Sequence, residues 1–237
     1  MTGRRVVTIM PILAAFLLLV GACGGGDEGG EGDTTSGDVS DEQLTQMALS
    51  QSEWGDDYAA LEPSTPSLQG REERAQRVDE DEAKDLERFG EVKSYEASYS
   101  REQALQEGTG PVRTGATVYL FETAKGASGY LEDDLADLEG QIGKERGLIT
   151  ILSVDQFPVA DIGDESVGVQ IGLSVLTTYG LRSGYQTVVL FREGSILALL
   201  SVMRLDNTDA RAQLSALAGK LDDRIRAVLV TTPVATQ

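Results

Sequence analysis

The chain has 237 residues, 41% of them hydrophobic, with one cysteine, no histidine and a formal charge of −19. That composition can supply an ordinary apolar core, while a single cysteine excludes an internal disulfide and any cysteine-based metal cluster. The missing histidine removes the commonest general base, the Ser–His nucleophile pair and most zinc chemistry.

Residues 1–22 divide as an export signal divides. Arg4 and Arg5 make a positive start, residues 6–20 are apolar apart from Thr8 and Pro11, and Gly21 and Ala22 are small. An apolar run of about 15 residues gives about 22 Å of helix, short of the roughly 20 residues that span a bilayer stably. The junction Val20-Gly21-Ala22-Cys23 resembles the bacterial lipobox. The resemblance implies cleavage between Ala22 and Cys23, a diacylglyceryl thioether on Cys23 and often acylation, as with palmitate, of the new amine. Two or more acyl chains make such an anchor stable. The expected location is the cell membrane or outer envelope, facing the extracytoplasmic side. With Arg4 and Arg5 in the leader, the remaining chain keeps 18 of the 20 basic residues against all 39 acids, a net of −21. So acidic a surface repels nucleic acid backbones and anionic head groups, which leaves the membrane, through the lipid anchor, as the one expected partner of known kind. A protein or small-molecule partner is not identified.

Behind Cys23, residues 24–39 read GGGDEGGEGDTTSGDV. With no large apolar residue before Val39, the segment predicts a disordered tether, whose root-mean-square reach is on the order of 20–25 Å.

Ser40 offers a helix N-cap, with Asp41 and Glu42 in the first turn and Gln43 at capping-box spacing. Residues 62–69 hold Pro63 and Pro66 and predict a loop. Residues 71–89 are dense in charge with a thin stripe of Ala75, Val78, Ala83, Leu86 and Phe89, which predicts one surface helix; its acids 79–82 read as a solvated face. Residues 92–99 and 112–122 predict a strand hairpin with a turn at 108–111. In 123–142, Leu131, Leu135, Leu138 and Ile142 recur on one helical face. Strands follow at 148–159, 165–178, 185–192 and 195–204, with a loop at 161–164, a turn at 180–184 and a tight turn around Gly194. The run 195–203 is apolar nearly throughout, as in a central strand covered on both faces. Asn207 or Thr208 caps a last helix to about Leu229, with Leu214, Leu217, Leu221 and Ile225 on one face.

This order predicts an α+β fold: a mostly antiparallel sheet of about five to six strands covered by two amphipathic helices, with an N-terminal helical arm. The expected division is a signal peptide (1–22), a lipidated Cys23 with its tether (23–39), the helical arm (40–90), the α+β domain (91–230) and a tail (231–237). The run 118–122 leading into helix 123–142, the turn Asp161-Ile162-Gly163-Asp164-Glu165-Ser166 and the stretch 187–198 resemble actinobacterial lipoproteins and sensor domains. These include the extracellular domain of mycobacterial PknH-type kinases and the Mog1/PsbP-like fold. The sensor domains usually carry paired cysteines; this chain has none in its body.

No phosphate loop, nucleophile elbow, Ser-x-x-Lys motif or EF-hand loop occurs in the sequence, so no cofactor, catalytic residue or metal ligand is assigned. The acids of 161–165 suit Ca²⁺ or, better, a turn that uses Asp and Gly for backbone geometry. The tyrosines and Trp54 read as core and edge packing. The leading expectation is a non-enzymatic, lipid-anchored binding or interaction module. The alternatives are an envelope carrier of an apolar molecule and a carboxylate-based hydrolase.

Overall fold

A computed structural model of the chain describes residues 39–231 apart from Asp79 and Ala160. The expected leader, Ala22, Cys23, the tether up to residue 38 and the tail from residue 232 lie outside the described residues. The capping box at Ser40 is formed: Gln43 N–H donates to Ser40 Oγ at 3.2 Å and Ser40 N–H to Gln43 Oε1 at 2.8 Å. It opens α1 (Asp41–Met47). Two single turns of 3₁₀-helix follow, Gln51–Trp54 and Asp56–Tyr58.

Six long strands match the predicted ones: β3 (Glu91–Ser100), β4 (Pro111–Phe121), β6 (Ile149–Phe157), β7 (Glu165–Thr177), β8 (Gly180–Glu193) and β9 (Ile196–Arg204). Short strands β1 (Glu62–Pro63), β2 (Ser67–Gly70) and β5 (Glu145–Arg146) complete one nine-stranded sheet in the order β1-β3-β4-β9-β8-β7-β6-β5, with β2 also on the outer edge of β3. Every pairing is antiparallel. As its sequence predicts, β9 is central, and all of it is buried except the half-buried Ser201.

The helices α2 (Arg71–Ala75), α3 (Glu80–Arg88), α4 (Glu102–Glu107), α5 (Ala124–Glu139) and α6 (Arg211–Thr231) complete the fold. The two amphipathic helices cover opposite faces of the sheet. Val118 and Leu120 point into a core closed by α1, the 3₁₀ turns and α6, through Leu44, Trp54, Tyr58, Leu214 and Leu221. Tyr119 and Phe121, alternate on the same strand, point into a second core closed by α3 and α5, through Leu86, Ala127, Tyr130 and Leu131. Gln213 ties the N-terminal turns to α6, donating to Trp54 O and accepting from the Tyr58 hydroxyl, both at 2.9 Å. Both cores and the whole sheet are closed by residues 39–231, so the fold is self-contained in that stretch.

Five local expectations change, the first being that α6 starts at Arg211, so neither Asn207 nor Thr208 caps it. Residues 62–69 are not simply loop: Pro63 sits on the outermost strand, where its missing N–H breaks no ladder. The 71–89 helix divides into α2 and α3, and the break lets Arg74 turn inward. The 91–121 pair is joined through α4 rather than by a tight turn. Finally, β8 already runs from Gly180, and the hairpin turn is Thr178–Tyr179.

Candidate functional site

The acids predicted as a solvated face contain one that is not solvated. Glu82 is 1% exposed. Arg74 Nη2 donates to Glu82 Oε1 at 2.9 Å and to the Tyr130 hydroxyl at 3.2 Å, and its Nη1 donates to Glu91 Oε2. Glu91, at the head of β3, is 0% exposed. The guanidinium also lies 4.8 Å from the centre of the Tyr119 ring, a cation–π contact in a desolvated setting. One cation thus stands between two buried carboxylates, and a third, Asp134, lies on α5 one turn beyond Tyr130.

Burial governs how these groups ionise. It pushes the Glu91 carboxyl up against the opposing pull of Arg74. It pushes Asp134 up to about 7, with Arg74 opposing and Asp137 and Asp133 adding to the rise. Tyr119 and Tyr130 are likewise held well above the ordinary phenol range by burial.

Beside this cluster, a surface groove of about 580 Å³ runs between the end of α3 and the start of α5. Arg88, Phe89, Gly90, Lys125, Gly126 and Ser128 are among its lining residues. The seam is tight because α5 presents glycine there. A Cβ on Gly126 would stand 2.1 Å from the Phe89 carbonyl oxygen, and one on Gly129 would stand 2.9 Å from the Phe89 ring. The Phe89 ring then packs edge-on to Tyr130 at 5.9 Å, which joins groove and buried cluster. Thr123 caps α5, accepting from Gly126 N–H at 3.0 Å. Ser128 is engaged by both Glu165 oxygens, at 3.0 and 2.9 Å.

The 161–165 turn spends its acids on Arg192. Asp164 Oδ2 accepts from Arg192 Nη1 and from Gly194 N–H, both at 2.9 Å, and Glu165 Oε1 accepts from Arg192 Nη2 at 3.1 Å. Trp54, Tyr58, Tyr119 and Tyr130 are core residues, as read from the sequence, whereas Tyr179 stands exposed. The buried cluster was missed, though one signal existed: Glu82 sits four residues after Val78 and four before Leu86, on the apolar stripe itself.

No family model matches the chain, and no curated protein matches it. Among solved structures, the chain is similar to the extracellular domain of PknH from Mycobacterium tuberculosis. The TM-score is 0.53 at 13% identity, and the match covers 80% of this chain and 98% of that one. The likeness is one of fold, and it agrees with the resemblance read from residues 118–198.

Proposed function

We propose that this chain is a lipid-anchored, extracytoplasmic binding module that does not turn over substrate. The observation that carries the reading is the shared fold with a domain described as extracellular, over nearly all of that domain's length. The lipobox resemblance at Cys23 and the acidic, glycine-rich run behind it support the same placement. In this reading Cys23 holds the chain in the cell membrane or outer envelope, and the α3–α5 groove receives a small ligand. The structure gives less support to a carrier of apolar molecules. Two concavities among the described residues are surface grooves lined in part by charged residues, among them Glu122 and Lys125 in one and Arg101 and Glu102 in the other. Both sheet faces, where an apolar cargo would lodge, are packed with side chains.

Cys23→Ser in the producing cell tests the anchor. Loss of fatty-acid labelling, with release or stalling of the precursor, is expected; labelling that persists would refute the lipid claim.

A further inference from the structure

The β7–β8 hairpin ends in an apolar tip that the fold does not cover. Leu176 and Leu181 are direct cross-strand partners, and Leu176 N–H donates to Leu148 O at 2.8 Å, so three leucines stand side by side near the ends of three adjacent strands. Leu148 is 57% exposed, Leu176 50% and Leu181 70%, and Tyr179 in the turn between them is 69% exposed. On the same face, one pair further in, stand Thr150, Ser174 and Ser183 in register. The row next to the end is therefore polar, and the last row is apolar on all three strands at once. Scattered surface leucines need no explanation, but a contiguous row does.

The charge of the tip departs from that of the molecule. Lys144 and Arg182 stand at the turns and strand ends that build it, against one acid, Glu145, in a chain with 39 acids and 20 basic residues. Neither Lys144 nor Arg182 has an ion-pair partner among the described residues. On α4, which packs against β7, Glu107 already faces Arg101 at 3.7 Å.

We infer that this tip is a docking surface for an anionic lipid bilayer. Leu148, Leu176, Tyr179 and Leu181 enter the interfacial region, and Lys144 and Arg182 meet the head-group phosphates. A second copy of the chain fits less well. A stable protein interface buries about 800 Å² on each partner, far more than three strand ends and a turn can present. A bilayer needs no such matched area. The remaining acids do not forbid the contact, because at physiological salt their repulsion is screened beyond about 8 Å. The inference is independent of lipid on Cys23.

The test uses the self-contained chain from Gly24 to Gln237, which lacks Cys23, with Tyr179→Trp as a reporter. On phosphatidylglycerol–phosphatidylcholine vesicles the new tryptophan is expected to shift to the blue and to be quenched by bromine-labelled acyl chains. Both signals should weaken in high salt and on pure phosphatidylcholine. The Leu176→Ser/Leu181→Ser variant, altered only at exposed positions, should retain its melting temperature and lose at least about tenfold in vesicle partitioning. Three results would each overturn the inference: no spectral change on anionic vesicles, equal partitioning of the double variant, or lipid-free dimerisation that the double variant abolishes.

Discussion

Asp134→Asn tests the buried cluster most sharply. Asp134 is 7% exposed, and burial is the chief reason its carboxyl rises from 3.8 to about 7. A carboxyl raised in the fold holds its proton more tightly folded than unfolded. The stability it contributes is therefore fully present below about pH 4 and is lost as pH climbs through about 7. Roughly three pH units at about 1.4 kcal/mol each set the loss at no more than about 4 kcal/mol. Asparagine keeps the shape, cannot ionise and escapes that loss. The variant should be more stable than the parent by about 2–4 kcal/mol near pH 8 and within about 1 kcal/mol of it near pH 4. Urea unfolding followed through Trp54, the only tryptophan and 1% exposed, reads both values across the pH range. The parent's stability should fall between these limits and the variant's should fall less, the remainder reflecting Glu91, which burial raises in the same direction. Parallel pH profiles, or a variant no more stable near pH 8, would refute the account of Asp134 as a carboxylate held against its own desolvation.

Arg74→Met should destabilise by about 3–5 kcal/mol near neutral pH, since it leaves Glu82 and Glu91 buried without their cation. Denaturant titration should show the deficit shrinking in acid as the carboxyls take up protons, and adding Glu82→Gln and Glu91→Gln should recover most of it. Two glycine substitutions make a matched pair read by thermal melting. Gly126→Ala, whose Cβ would stand 2.1 Å from Phe89 O, should destabilise by about 1–3 kcal/mol. Gly219→Ala, on α6 with nothing within 4 Å, should stabilise by about 0.5–1 kcal/mol.

Elements fixed by local chemistry were legible in the sequence. The Ser40 capping box, the Gly194 turn, the apolar run of β9 and the stripe of α6 each state their structure within a few neighbouring residues, and all stand where the sequence puts them. What was not legible depends on distant partners. Residues 67–70 are strand only because β3 offers its edge to them. Glu82 reads as one more acid in a charged run until α2 brings Arg74 to it and β3 brings Glu91. The α3–α5 groove exists because two glycines on one helix fit a phenylalanine from another segment, a fit that spacing alone cannot express. The tip was hidden by a related difficulty. The glycines at 180 and 184 suggest a turn, but Gly180 pairs with Thr177 and Gly184 with Leu173 inside a ladder that carries Leu181 out to the end.

The two ends of the molecule stand in a fixed relation. Asp41, at the start of α1, pairs with Lys93 at 2.7 Å; Lys93 faces Leu120, Leu120 faces Ile196, and Ile196 faces Glu193 on β8. Leu181 lies at the other end of that same strand, about 40 Å away at 3.3 Å per residue. The chain that leads back to Cys23 therefore joins the fold at the end opposite the apolar tip. If residues 24–39 are the disordered tether their composition predicts, it would reach on the order of 20–25 Å on average and about 55–60 Å when fully drawn. Both ends can meet one bilayer either with the strands lying along it or with the tether drawn well past its mean. The effective concentration of the tip at the anchoring surface then falls below the value a matched tether would give. If Cys23 carries the proposed lipid, the leucine row would stand at the end away from the anchor. If both proposals hold, the distance between the two ends sets how readily the tip reaches the bilayer that would hold the anchor.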